Sequence, residues 1–368
     1  MLWHKTPKRE EMDLGDREIC WEILPKVSRS FALCIRILPR PLNEQMMVSY
    51  LLYRTIDTIE DSQASLQEKK MLFAKFLRLL SSEEYNGQKT DECRGEMLNS
   101  LSFTYEEVLL SNLDSLLCAY YSQPPAVRRA IRHWGRVMAG GMYKFQQKRI
   151  RTFADQDRYS YYVAGVVGYL FNDLLYHNKI ITNKLRLRLR YQARRFGQAL
   201  QKVNILRDVS HDVSSGRYYW PELLLNKYRL DYHSLCKSEN RKAAMKVLRE
   251  EIKNALAYLS SGMQYVLSLP PDALQVRMFC IIPLFMAIES YVKCIDNQEI
   301  FMDEKTVKIS RLQVQEIVAK SGVWGKSNER LARWFMDTMQ KAGPMLPRSA
   351  YSARLLRAQC QVVPMKMR

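Results

Sequence analysis

Two acidic segments of one shape, Asp57-Thr58-Ile59-Glu60-Asp61 and Asp208-Val209-Ser210-His211-Asp212, each set two aspartates four residues apart. On an α-helix such residues share a face with Cβ atoms roughly 5–6 Å apart, so each pair presents two carboxylates to one point. Like charges that close repel unless a cation lies between them. An all-carboxylate set suits Mg2+, with Mn2+ as the nearest substitute, and Mg2+ takes one or two carboxylates together with waters and substrate phosphate oxygens. Two such helices facing each other would make a clamp for Mg2+ and a diphosphate. One DxxxD alone is ordinary on a solvated helix face, so the neighbours carry the weight. Arg54 stands one turn before Asp57, and Gln201-Lys202-Val203-Asn204-Ile205-Leu206-Arg207 leads into Asp208, with Asn204 one turn back. Guanidinium forks and ammonium groups are what phosphate oxygens need beside a metal.

Between the acidic segments runs Tyr159-Ser160-Tyr161-Tyr162-Val163-Ala164-Gly165-Val166-Val167-Gly168. The small residues Ala164, Gly165 and Gly168 suit a tight helix crossing. They equally suit a cavity wall with room for an apolar chain and a tyrosine hydroxyl aimed at a diphosphate. Both readings can hold at once.

The elements that must position these groups read as helices. Met46, Tyr50, Tyr53, Ile56 and Ile59 recur at helical spacing through the first acidic segment, and Phe196, Ala199, Leu200, Val203 and Leu206 lead into the second. With only 14 glycines and 13 prolines in 368 residues, the pattern predicts an all-α fold of ten or more helices. The Arg-Leu alternation at 185–190 is assigned to a helix or turn despite its period of two. Residues 81–95 are expected to form a polar exposed loop, and Ser268-Leu269-Pro270-Pro271-Asp272 a turn ahead of another helix. No composition shift calls for a second domain. The expected organisation is a catalytic domain over 1–345 and a basic tail over 346–368.

Hydrophobic residues at 47% supply a sizeable core. The eight cysteines form no CxxC pair and have no histidine at zinc spacing, so they read as reduced thiols. The first residues show no apolar stretch of signal-peptide length. The longest apolar runs, 161–171 and 279–288, fall short of the ~20 residues that span a bilayer, so no transmembrane segment is expected. The net charge of +19 is concentrated: residues 179–195 hold seven basic and no acidic residues, and the tail holds Arg348, Arg354, Arg357, Lys366 and Arg368 against no acid. A solvated basic face is one account. A peripheral contact with an anionic membrane surface is the other, with Leu355, Leu356, Val362, Val363 and Met365 inserting shallowly. Nucleic acid is not an expected partner, because no zinc-finger, RNP or basic-zipper pattern accompanies the charge.

Ser28-Arg29-Ser30-Phe31-Ala32, residues 50–61, residues 159–168, residues 201–221 ending Gly216-Arg217-Tyr218-Tyr219-Trp220-Pro221, and Phe279-Cys280-Ile281-Ile282-Pro283 closely resemble, in order, the signatures of the squalene/phytoene synthase family. The continuation through Met286-Ala287-Ile288, Asn297-Gln298 and Val307-Lys308-Ile309 resembles the eukaryotic squalene synthases more than the shorter phytoene and dehydrosqualene synthases. The likeness is collinear from about residue 20 to 320. It implies a single-domain isoprenoid-synthase helical bundle around a central cavity, joining two farnesyl diphosphates head to head. Asp57, Asp61, Asp208 and Asp212 would hold Mg2+, and Ser28, Arg29, Phe31, Arg54, Gln201, Lys202, Asn204 and Arg207 would meet the substrate. By the same likeness Tyr159 serves the proton transfer that gives presqualene diphosphate, with Tyr50 near it. The aromatic faces of Phe31, Tyr50 and Phe279 steady carbocations. NADPH would supply the hydride that gives squalene; no GxGxxG fingerprint stands behind it, and Arg217 and Lys308 are the candidates for its phosphates.

The chain departs from the family pattern at His211 and Ser62, where acids are usual, and at Arg277 and Met278, where aromatic and amide residues are usual. The alternatives are a synthase that stops at presqualene diphosphate or releases an unreduced dehydrosqualene or phytoene-type product, and a non-catalytic basic binding protein. A monomer is expected, in the cytoplasm or on the cytoplasmic face of a membrane.

Overall fold

A computed structural model describes residues 9–100, 106–303, 305 and 307–341, and among them every regular element is helical. The chain divides into two compact units. The first, up to residue 147 together with 173–178, holds α1 (Arg9–Val27), α2 (Arg29–Ile37), α3 (Leu42–Asp61), α4 (Leu66–Leu79), α5 (Gly87–Ser100), α6 (Glu106–Ser111), α7 (Leu113–Tyr121) and α8 (Pro125–Phe145). The second, residues 148–172 and from 179 onward, begins with α9 (Phe153–Ser160), a π-helical turn (Tyr161–Gly165) and the first part of α10 (Val166–His177). It continues through α11 (Asn183–Arg207), α12 (Val209–Ser214), α13 (Glu222–Lys227), α14 (Tyr232–Leu235), α15 (Arg241–Ser268), α16 (Leu274–Cys294), α17 (Arg311–Trp324) and α18 (Asn328–Gln340). The expected tail, and the boundary drawn at 345, lie outside the described residues.

In the first unit α3 is the core helix, packed by α1, α2, α4, α6, α7 and α8. In the second, α11 lies along α15, and α16 packs on both and on α17. The local rules for these starts are visible in the chain. Capping boxes open α4 (Ser65 with Glu68), α9 (Thr152 with Asp155) and α17 (Ser310 with Gln313), each satisfying two backbone donors that helix geometry leaves unpaired. Thr182 caps α11, so the Arg-Leu alternation is helical. The turn at 268–272 is present, with Ala273 N–H donating to the Pro270 carbonyl at 3.1 Å.

Two expectations change. Residues 87–100 are helix α5 rather than loop, because Asn86 acts as an N-cap: its Oδ1 accepts from Lys89 N–H at 2.9 Å, and Thr90, Cys93 and Met97 then fall on one buried face. Only 81–86 remain irregular. The apolar run at 279–288 is part of a longer helix: α16 is, among the described residues, the one helix long and apolar enough by composition to cross a bilayer. Two-thirds of its apolar window is buried inside the protein. That burial is what a core helix requires.

The glycines at 165 and 168 mark a backbone crossing, as one of the two readings had it. A Cβ on Gly168 would lie 2.0 Å from the Ala193 carbonyl oxygen, and one on Gly197 would lie 2.1 Å from that of Ala164. Both obstacles are main chain, so neither can swing aside. Gly197→Ala is therefore expected to destabilise the protein by about 3 kcal/mol, the upper part of the overpacking range, measurable as a fall in the urea midpoint. An unchanged midpoint would show that α11 can shift along the π-helical turn.

Candidate active site

In the first unit the site is built on one stripe of α3. From Gln45 to Asp61 every residue is buried except Tyr50, Arg54, Asp57 and Asp61, spaced i, i+4, i+7 and i+11. A helix with three sides packed leaves one stripe open, and here that stripe carries only polar groups able to do chemistry. Arg54 Nη1 stands 3.7 Å from Asp57 Oδ2. The other carboxylate oxygen, Asp57 Oδ1, is buried and has no hydrogen-bond partner. Burial pushes the Asp57 carboxyl up to about 7; Arg54 opposes that rise, and the charge of Asp61 adds to it. A carboxylate in that state gains by meeting a cation.

The start of α2 is brought to the same stripe. Ser28 caps α2, its Oγ accepting from Phe31 N–H at 3.3 Å, and it also hydrogen-bonds the Tyr50 hydroxyl. The Phe31 and Tyr50 rings lie 5.3 Å apart, tilted by 30°. Burial holds the Tyr50 phenol above its ordinary range. Arg29, in the first turn of α2, is exposed. Ser62 ends α3, donating from its Oγ to the Ile59 carbonyl at 2.9 Å, so the departure from an acid there serves as a helix cap.

In the second unit the acidic segment is not one helix. α11 stops at Arg207, Asp208 takes φ −96° and ψ 15°, and α12 begins at Val209. The one-turn spacing survives the break, since Asp212 N–H still donates to the Asp208 carbonyl at 2.8 Å and Asp208 N–H to that of Asn204 at 2.9 Å. Arg207 grips Asp208 bidentately, Nε to Oδ1 at 2.7 Å and Nη2 to Oδ2 at 2.5 Å. The chain then reverses at Gly216, whose φ of 71° is open to glycine. The Arg217 N–H reaches the Asp212 carbonyl at 2.7 Å and the Gly216 N–H that of Val213 at 3.1 Å, a Schellman ending. That turn sets Arg217 Nε 3.2 Å from Asp212 Oδ1. Burial raises the Asp212 carboxyl to about 6, against Arg217 and with the charge of Asp208. Asn204 is exposed beside Gln201, its Nδ2 donating to Gln201 Oε1 at 3.4 Å.

The other candidates each have partners of their own. Lys202 lies on the opposite side of α11 from Asn204 and is 3% exposed, the consequence of 100° per residue on a helix packed along α15. Its Nζ donates to Gln156 Oε1 at 2.6 Å and Asn254 Oδ1 at 2.7 Å and forms an ion pair with Asp157 Oδ1 at 2.7 Å. Lys202 is therefore a buried structural cation here, not a group presented beside Asp208. Arg217 lies against Asp212. Lys308 is exposed ahead of α17, its carbonyl accepting from Lys293 Nζ at 3.0 Å. Arg277 is fully buried, donating to the Leu269 carbonyl at 2.8 Å and Asn328 Oδ1 at 2.6 Å, so it ties the end of α15 to the start of α18. Burial lowers its guanidinium to about 10. Phe279 is buried against Phe171, rings 4.6 Å apart, and Tyr159 is buried against Tyr219.

Sequence reasoning missed Gln156, Glu251 and Asn254, which surround Lys202. Glu251 had a signal: it falls among Val247, Leu248, Ile252 and Ala255 on the buried face of α15, where an acid is out of place without a partner.

The residues present suit Mg2+. Among the described residues no three His, Cys, Asp or Glu side chains gather into a closed metal cage. Mg2+ does not need one, since it keeps waters and takes one or two carboxylates. The buried, unsatisfied Asp57 Oδ1 is the oxygen such an ion would meet.

The sequence profile of the squalene/phytoene synthases matches residues 24–313. The squalene synthase of Schizosaccharomyces pombe is 28% identical over 366 residues, spanning 94% of this chain and 74% of that protein. That of Dictyostelium discoideum is 30% identical over 319 residues, 85% of this chain and 72% of that protein. Among solved structures, TcSQS in complex with the ligand E5700 superposes with a TM-score of 0.79 at 25% identity, covering 93% of this chain and 96% of that one.

Proposed function

The chain belongs to the squalene/phytoene synthase family, and from that premise we propose that it joins two farnesyl diphosphates head to head through presqualene diphosphate and reduces this to squalene with NADPH. The observation that carries the reading is that both acidic pairs keep one-turn spacing, each with an arginine against it: Arg54 beside Asp57, and Arg207 on Asp208.

Asp57, Asp61, Asp208 and Asp212 are the carboxylates for Mg2+, which when bound neutralises charge on the departing diphosphate. Arg54 and Arg207 add fixed positive charge at the phosphate oxygens, and their forks orient them. Ser28, Arg29, Gln201 and Asn204 supply further polar contacts at the open ends of α2 and α11. Phe31, Tyr50 and Phe279 offer ring faces to the allylic and cyclopropylcarbinyl cations. Tyr159, buried and short of water, handles the proton lost when the cyclopropane closes; a neutral phenol is a weak base, so the released diphosphate takes that proton through it or beside it. The reductant enters as a second substrate. Lys308, exposed ahead of α17, and Arg217, beside Asp212, are the cations offered to its phosphates. The guanidinium of Arg277 is spent between α15 and α18, so that departure is one of packing.

Placement at a membrane surface is part of the same reading. Lys184, Leu187, Arg188 and Tyr191 form an exposed i, i+3, i+4, i+7 stripe on α11, cations flanking apolar groups more than half exposed.

The test is the product profile from purified protein, Mg2+ and labelled farnesyl diphosphate, with and without NADPH. Squalene is expected only with NADPH, and presqualene diphosphate accumulates without it. An unreduced thirty-carbon product in both reactions would remove the reduction step, and no turnover would overturn the reading.

A further inference from the structure

Gln156 is wholly buried in α9, three residues before Tyr159, and its amide is committed at both ends. Its Oε1 accepts from Lys202 Nζ at 2.6 Å. Its Nε2 donates to the Tyr219 carbonyl at 3.2 Å and to the two carboxylate oxygens of Glu251 at 3.1 Å each. An ammonium at one end and a carboxylate at the other permit one orientation of the amide. A flip would set NH2 against the ammonium and C=O against the carboxylate. An Nε2–H is thereby aimed at the Tyr219 carbonyl.

Tyr219 needs such an anchor. It lies in the irregular segment between α12 and α13, where no helix ladder holds the backbone. Its neighbour is pinned in the same way, Trp220 Nε1 donating to the Ile205 carbonyl at 3.1 Å and the Trp220 carbonyl accepting from Tyr232 at 2.5 Å. So held, the Tyr219 ring lies 4.7 Å from that of Tyr159 at an interplanar angle of 18°. A near-parallel neighbour limits the swing of the Tyr159 ring about Cα–Cβ, which sets where its phenolic oxygen stands, and its turning about Cβ–Cγ, which sets the plane in which the O–H and lone pair lie. Proton transfer depends on that direction, because acid and base must meet within hydrogen-bond reach.

We propose that Tyr219 is a positioning residue for Tyr159, its backbone held by a Gln156 amide that Lys202 and Glu251 lock in one orientation. The inference rests on the role given to Tyr159 above.

The experiment measures presqualene diphosphate formation by the full chain with Mg2+ and farnesyl diphosphate, without NADPH, for Tyr219→Leu, Tyr219→Phe and Tyr159→Phe, alongside thermal melts. Tyr219→Leu is expected to lower kcat at least about 10-fold with KM within about twofold, part of the 10²-fold that an ångström of misplacement costs. Tyr219→Phe restores kcat, because it keeps the ring and the carbonyl. Normal kcat in Tyr219→Leu with a stalled Tyr159→Phe would overturn the positioning and leave the role of Tyr159 standing. Equal losses in Tyr219→Leu and Tyr219→Phe would also overturn it, since the hydroxyl would then be what matters. Normal product formation by Tyr159→Phe would remove the Tyr159 role and the inference with it.

Discussion

Asp57→Asn is expected to lower farnesyl diphosphate turnover by about 10²- to 10³-fold, the scale of losing one preorganised charge-stabilising group. The substitution keeps shape and removes charge, so it isolates electrostatics from packing. Its sign on stability is opposite. The Asp57 carboxyl is raised to about 7 and that of Asp212 to about 6, both from an ordinary 3.8. Without metal the folded protein therefore binds more protons than the unfolded chain between about pH 4 and 7, and stability falls as pH rises through that window. Asparagine removes the Asp57 share of that loss. The variant should thus melt above wild type at about pH 8 without Mg2+, with a flatter pH dependence, a trade of stability for function. Mg2+ must displace the carboxyl proton, so the melting shift it gives wild type should grow from about pH 5 to pH 8 and shrink in the variant. Wild-type turnover by Asp57→Asn, or an equal Mg2+ shift in both proteins, would remove Asp57 from the metal site.

Lys202→Met should cost about 3 kcal/mol in urea unfolding while leaving the KM for farnesyl diphosphate near its wild-type value. Removing one partner of a buried ion pair strands the other, at about 3–5 kcal/mol. The low end applies because Asp157, the ion-pair partner, keeps 30% of its side chain exposed to water, and because burial already pushes Glu251 up to about 7, against the pull of Lys202, so that it can take a proton when the ammonium is gone. Adding Glu251→Gln to Lys202→Met should recover part of the loss, since the buried carboxyl whose charge the ammonium had favoured is then absent. The outcome separates two roles for one residue. A raised KM at unchanged stability would return Lys202 to the diphosphate, as its place between Gln201 and Asn204 suggested; a lost midpoint at unchanged KM places it in the buried network with Gln156 and Asn254.

Features local to one helix or one turn can be read from the sequence alone. The stripe of Tyr50, Arg54, Asp57 and Asp61 follows from 3.6 residues per turn, and the packed sides of α3 follow from the apolar residues between them. The same arithmetic carried Asn204 to Asp208 and Asp208 to Asp212, and it held through a helix break it did not foresee, because the backbone hydrogen bonds run on through Asp208. The polar run at 81–95 misled for a local reason too, since the Asn86 within it opens a helix as readily as a turn. Which partners meet across the chain depends on how the helices pack. Lys202 and Arg207 stand five residues apart on one helix, yet one faces α15 and the other reaches Asp208, and only the neighbours of α11 settle that. Gly197 has no turn to make; its lack of a side chain matters because the Ala164 carbonyl arrives there. Arg277 stands just ahead of the signature at 279–283, a departure from the family pattern, and donates to α15 and α18. Periodicity reports which way a side chain leaves its own helix, while the energy of a buried charge or a close crossing depends on the atoms that the rest of the fold brings to meet it.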